Sequence, residues 1–290
     1  MDLTTFAQQV FNGLSTASIY ALIAVGITLT FGLTRLVNFA HGEIVAVGAY
    51  AVFFLAPKGG ASFIVGLIGA VLVTGVLSFV LERGLFRFTL DTPVNGFLVS
   101  LGLILIIQNA LVAKWTINPK HADPFLSTIW EIGGVRIGAI RVIVIIVTVA
   151  TFALLSWVFT HTWFGMAARA ASMDREMLSL TGVPVARVIT STFVLGGMLA
   201  GLAGAFIAEL NDITPLIGFR YVLKAFAVAI VGGLGNVKGA IYASLIFAMG
   251  EAMAIGLGLG AWVEAMVFGG LVAMVLIRPQ GLLRGTEAAV

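Results

Sequence analysis

Asn12-Gly-Leu-Ser-Thr-Ala-Ser-Ile-Tyr-Ala-Leu-Ile-Ala-Val-Gly-Ile-Thr-Leu-Thr-Phe-Gly-Leu33 contains no charged residue, and the charge-free run around it extends from Leu3 to Thr34. A helix needs ~20 mostly apolar residues to cross a bilayer. This run meets that length, lacks the positive flank of a secretory signal and outlasts a signal's apolar core, so it reads as a retained first span. The rest of the chain agrees. Hydrophobic residues make up 60% and charged residues 10% of 290, with a mean hydropathy of +1.11. Soluble domains average roughly 25% charged residues. Long apolar runs, rather than short alternating segments, argue for helices over a β-barrel.

Further windows of spanning length are Gly59–Leu81, Thr92–Ala113, Val142–Phe159 and Val188–Ala208. Phe39–Leu55, Gly239–Leu257 and Ala261–Ile277 each tolerate at most one glutamate. Ala225–Val237 is shorter and contains Gly232-Gly233-Leu234-Gly235, which makes it a candidate broken or re-entrant helix. The expectation is an all-α polytopic protein, one transmembrane domain over 1–290, with eight or nine membrane helices.

With nine crossings and an outside amino terminus, Arg35, Arg83, Arg87, Arg169, Arg175, Arg187, Lys238, Arg278 and Arg284 fall inside. Lys58, Lys114, Lys120, Arg136, Arg141, Arg220 and Lys224 fall outside, so the positive-inside rule gives a small bias toward this orientation. The net charge of +3 is spread over such boundaries without a dense basic patch, which argues against a nucleic-acid partner. The chain has no cysteine, which excludes disulfides, thiolate metal sites and thiol catalysis.

Two hydrophilic connections stand apart. Lys114 to Arg141, with Pro119, Pro124, Trp115 and Trp130, reads as an external loop with interfacial aromatics. Residues 160–187 read as a cytoplasmic loop. In its core, Ala168–Leu180, Met173, Met177 and Leu180 recur at i, i+4 and i+7, one face of a helix, and Asp174, Arg175 and Glu176 form the polar side. Gly182 followed by Pro184 stops that helix. Such a segment either lies passively among headgroups or docks a partner in a groove. Spacing does not choose between the two.

The other chemistry-bearing residues are few. Phe39-Ala-His-Gly-Glu43 sets His41 and Glu43 beside apolar sequence, where ionisable groups face a polar path or a partner, or serve as helix-end residues tied to backbone. Asn38 and Arg35 precede them as caps or parts of a gate. Glu251 falls mid-span, where packing and a pathway role compete, and Glu264 falls near a span end. Glycines including Gly196, Gly197, Gly201 and Gly204 offer a small-residue face for close helix approach. Hydrolase and zinc-protease motifs are absent from the sequence, as is a phosphate-binding G-x-x-x-x-G-K-[ST] loop. Three scattered histidines, His41, His121 and His161, assemble no metal site.

Several blocks together carry a resemblance. They are Asn12-Gly13-Leu14, Gly32-Leu33-Thr34-Arg35-Leu36-Val37-Asn38-Phe39-Ala40-His41-Gly42-Glu43, Trp163-Phe164-Gly165-Met166-Ala167-Ala168-Arg169-Ala170, Leu180-Thr181-Gly182-Val183, Gly232-Gly233-Leu234-Gly235-Asn236 and Arg278-Pro279-Gln280-Gly281-Leu282-Leu283. In this order, along nearly the whole chain, they resemble the membrane-spanning permease subunits of branched-chain amino-acid (Liv-type) ABC importers. Thr34 and Lys238 depart from the common pattern.

The resemblance implies a bacterial inner-membrane permease pairing with a homologous permease, two cytoplasmic ATPase subunits that use ATP and magnesium, and a periplasmic or extracellular solute-binding protein. No cofactor is expected in this chain. Ala168–Gly182 would then be the coupling helix, with Arg169, Met173, Asp174, Arg175, Glu176, Met177, Leu180 and Gly182 as its contacts. Asn38, His41, Glu43 and Glu251 would contribute to the pathway or its gate. If the solute is chiefly an aliphatic amino acid, a predominantly apolar translocation wall would impose little binding penalty. Urea, short amides and aromatic acids are the alternative solutes within the family. An ion-coupled secondary transporter with a His41–Glu43 relay, and more remotely an intramembrane enzyme, are the rival classes.

Overall fold

The computed structural model describes residues 2–56, 61–121, 128–278 and 281–283. Lys58, Pro124, Pro279, Gln280 and Arg284 lie outside the described residues. The first span becomes α1, Leu3–Thr34, about 48 Å of unbroken helix. Its residues from Ala17 to Thr30 are buried, so it runs through the centre of the bundle. Arg35 ends it in a left-handed conformation, φ 55°, with its N–H on the Phe31 carbonyl.

Around α1 lie α2 (His41–Leu55), α3 (Ala61–Gly84), α4 (Pro93–Trp115), α5 (Ala139–His161), α6 (Trp163–Met173), α7 (Arg175–Leu180), α8 (Val185–Leu210), α9 (Ile217–Gly232), α10 (Val237–Gly256) and α11 (Val263–Ile277). Among the described residues seven helices are long and apolar enough to cross a membrane: α1, α3, α4, α5, α8, α10 and α11, the last with the 3₁₀ turn Gly260–Trp262 before it. α2 is a shorter apolar helix, and α9, of 16 residues, carries Arg220 and Lys224. The protein is a multi-pass helical membrane protein.

Glycine decides how closely the central helices meet. Gly48 of α2 lies against Gly201 of α8, and Gly204 against the backbone of Val45 and Ala49. Gly197 and Gly201 also admit Ser78 and Thr74 of α3. With no hydrophobic drive between helices in lipid, such backbone approach supplies the packing. The glycine-face reading of α8 therefore holds.

The segment 225–237 is not a single broken helix. Its helical part starts earlier, at Ile217, and Gly232 closes it because its backbone abuts that of Gly239. Gly233 and Gly235 have φ 100° and 91°, conformations costly for any other residue, and Asn236 accepts the Gly239 N–H to start α10.

The Lys114–Arg141 connection holds a hairpin, β1 (Ile129–Ile132) and β2 (Val135–Gly138), turned by Gly133 and Gly134 at positive φ. Arg136 pairs with Glu131 at 2.7 Å, and its backbone exchanges two hydrogen bonds with the Gln8 side chain on α1. The amino-terminal end of α1 and the hairpin thus share one end of the bundle. The opposite end gathers the carboxyl terminus of α1, the α6–α7 loop and the start of α8.

Candidate functional site

At the hairpin end, a cavity of about 760 Å³ opens between α1, α5, α9 and α10. Gln9, Asn12, Thr16 and Tyr20 descend along one face of α1 at three- and four-residue steps. Arg141 enters from the first turn of α5, and Asn211, Asp212 and Thr214 from the segment between α8 and α9. Arg220 and Lys224 follow on α9, four residues apart on one face, and Glu251 faces them from α10.

The floor is a three-sided cluster. Lys224 Nζ donates to Glu251 Oε1 at 2.6 Å, and Tyr20 Oη donates to Glu251 Oε2 at 2.7 Å. The Lys224 ammonium also stands 5.9 Å from the centre of the Tyr20 ring. Tyr221 packs edge-on to Tyr20, and its hydroxyl accepts from Asn211. At the rim, His121 Nδ1 meets Asp212 at 2.7 Å, and Lys120 forms an antiparallel backbone bridge with Ile213. The Lys114–Arg141 connection is thereby stitched to the cavity mouth.

These facts correct one expectation. Arg220 and Lys224 are not loop residues at a boundary but lie on a helix, where Lys224 pairs with Glu251, which offsets the cost of its depth, and Arg220 is exposed. Twelve of the eighteen residues lining the cavity are polar or charged, so aliphatic side chains do not dominate it. Reading Arg220, Lys224 and Glu251 together, as three charges in otherwise apolar sequence, would have located the site. Periodicity alone assigned them to separate segments.

The other proposed pathway residues stand elsewhere. His41, fully buried at the start of α2, aims Nε2 at Gly26 of α1. Glu43, also fully buried, accepts from Gln108 Nε2 of α4 at 2.9 Å. Asn38 is buried in the extended segment before α2. None of the three lines the 760 Å³ cavity, so Glu251 is separated from them.

The segment Ala168–Gly182 also differs from a single amphipathic helix. The chain extends at Asp174, φ −153° and ψ 111°, dividing it into α6 and α7. The cause is local: the Asp174 carboxylate accepts the backbone N–H groups of Glu176 and Met177 at 2.9 and 3.0 Å, so it caps a new helix rather than continuing the old. Met173 therefore ends one helix while Met177 and Leu180 lie on the next. All three remain exposed, as does Glu176 beside them. Gly182, φ +80°, turns the chain toward α8.

Arg175 and Arg169 do not simply face water. Arg175 donates to the Thr34 carbonyl at the carboxyl end of α1, 3.0 Å away, where a cation meets the negative end of the helix dipole. Burial, with Arg35 nearby, lowers its guanidinium pKa from the ordinary value. Arg169 donates to the Phe159 carbonyl near the end of α5. The loop is thus tied to the far end of α1, the helix whose other half lines the cavity.

A helical bundle with a polar cavity at one end and a tethered surface loop at the other has the layout of a solute-pathway subunit. The chain belongs to the family described as the branched-chain amino acid transport system permease component, whose model matches residues 9–276. It is 30% identical over 302 residues to the high-affinity branched-chain amino acid transport system permease protein BraD of Pseudomonas aeruginosa, covering 99% of this chain and 98% of that one. It is 29% identical over 297 residues to the corresponding permease LivH of Escherichia coli K12, with 97% and 96% covered. A solved structure, PsaBC from Streptococcus pneumoniae in complex with Fab, shares the fold at a TM-score of 0.51 and 17% identity, over 93% of this chain and 91% of that one.

Proposed function

We propose that this chain forms half of the pathway of an ATP-driven importer that carries branched-chain or other hydrophobic amino acids across the bacterial cytoplasmic membrane. The observation that carries this reading is the polar cavity of paired charges opposite a tethered loop of exposed apolar side chains. The names of the relatives supply the solute class. A homologous permease supplies the other half, a periplasmic or extracellular binding protein delivers solute to the hairpin end, and two cytoplasmic ATPase subunits engage α6 and α7. The chain itself performs no nucleotide chemistry, in keeping with the absence of a phosphate loop in its sequence.

Mechanically, α1 is the connecting rod. A push on α6–α7 reaches Thr34 through Arg175, and α1 carries it toward Tyr20 and the cavity floor. Alternating access follows if the two permeases then rearrange about their shared pathway.

The test is uptake of labelled L-leucine into proteoliposomes containing the assembled complex and its binding protein. ATP-dependent uptake, inhibited by isoleucine and valine, is expected. ATP-dependent uptake of urea or an aromatic acid in place of leucine would overturn the solute class, and uptake by this chain alone under an ion gradient would overturn the importer.

A further inference from the structure

The cavity floor is internally paired. Glu251 spends one carboxylate oxygen on Lys224 and the other on Tyr20, while Arg220 and Arg141 line the same wall. Glu251 and Lys224 are mostly buried, with side chains 11% and 17% exposed, so parting them without new partners leaves two poorly solvated charges. A visitor can part them at low cost only by bringing one charge of each sign.

We propose that Glu251 and Lys224 form a recognition point for the α-amino-acid zwitterion, Glu251 receiving the ammonium and Lys224, with Arg220 one turn before it, the carboxylate. This rests on the reading of the chain as an amino-acid permease. The internal pair is exchanged for two external pairs, so net charge in the site does not change and binding is modest, which suits a point of passage. Tyr20 keeps the carboxylate aimed into the cavity. A neutral amide satisfies neither ion, and a simple carboxylic acid leaves Glu251 without its counter-charge. The aliphatic side chain is not what this point reads. It reads the amino-acid head.

The chain contains no cysteine, so Asn12→Cys or Thr16→Cys in the cavity wall places a single thiol in this subunit. The experiment follows labelling of that thiol by a membrane-impermeant reagent in the reconstituted complex, read on this chain after denaturing electrophoresis. L-Leucine should slow labelling at least threefold. Neither 4-methylpentanoate, which lacks the ammonium, nor 3-methylbutylamine, which lacks the carboxylate, should do so at equal concentration.

Glu251→Gln and Lys224→Gln should leave the thiol reactive but raise the half-protecting leucine concentration at least tenfold. Tyr20→Phe, which removes one hydrogen bond and preserves packing, should raise it two- to fivefold. Equal protection by either analogue overturns the proposal, as does undiminished protection in Glu251→Gln. ATP-driven leucine uptake is measured on the same vesicles. Uptake without any protection overturns this assignment alone, whereas absence of uptake overturns the amino-acid permease reading beneath it.

Discussion

Combining Asp174→Ala with Gly182→Val should separate ATP hydrolysis from uptake. Asp174 holds two backbone N–H groups of α7, and losing such a cap costs about 1 kcal/mol. Gly182 sits at φ +80°, where a β-branched residue costs roughly 1–2 kcal/mol more. A six-residue helix with no buried residue has only Arg175 on Thr34 and the partly buried Leu178 besides to hold it, and so short a segment is marginal without tertiary support. Its loss frees Met177 and Leu180 from fixed positions. Uptake should fall at least about tenfold, the factor that ~1.4 kcal/mol represents. ATP hydrolysis by the complex should continue. Unchanged uptake in vesicles would reject the docking role of this loop.

Gly204→Val should have the largest effect on stability. A Cβ at this position meets the Val45 carbonyl oxygen, lies 2.8 Å from the Ala49 nitrogen and 3.1 Å from the Gly48 carbonyl carbon. All three are backbone atoms, so no side chain can turn aside. Two helices must separate instead, and Gly48 against Gly201 must open with them. Overpacking of this kind costs typically 1–3 kcal/mol, and a branched side chain against backbone falls at the upper end. Thermal unfolding of the detergent-solubilised chain should shift down clearly, while Gly102→Ala, with open space around its Cβ, should not shift down. Equal stability of both variants would contradict the α2–α8 packing.

The long spans were legible because charge-free length is itself the physical requirement for crossing lipid. The windows at Asn12–Leu33 and Val188–Ala208 are extended in the structure to Leu3–Thr34 and Val185–Leu210, with polar residues at the added ends. The α8 glycines were equally readable, since only a small residue permits such approach. The hairpin was missed although Ile132-Gly133-Gly134-Val135 carries the signal of a two-residue turn. A membrane reading treats any polar connection as loop.

Asp174 shows a second limit. The i, i+4, i+7 spacing was real, yet a side chain competing for backbone N–H groups broke the helix that the spacing assumed. The cavity was illegible for a third reason. Tyr20, Lys224 and Glu251 are far apart in sequence, and only the antiparallel packing of α1 with α10, with α9 between their faces, brings them within 3 Å of one carboxylate. His41 and Glu43, prominent in sequence, are buried against α1 and α4, apart from the cavity. An ionisable residue at depth flags a constraint without saying which one.

The account turns on the claim that work enters through α6–α7 from a separate nucleotide-driven subunit. Met177→Cys, exposed on α7 in a chain without other cysteines, tests it directly in the assembled complex. A short thiol cross-linker should join this residue to the ATPase subunit, with a yield that changes between nucleotide-free and ATP-bound states. A thiol that reacts freely with aqueous or lipid-borne reagents in every nucleotide state, and never cross-links to that subunit, would contradict the claim.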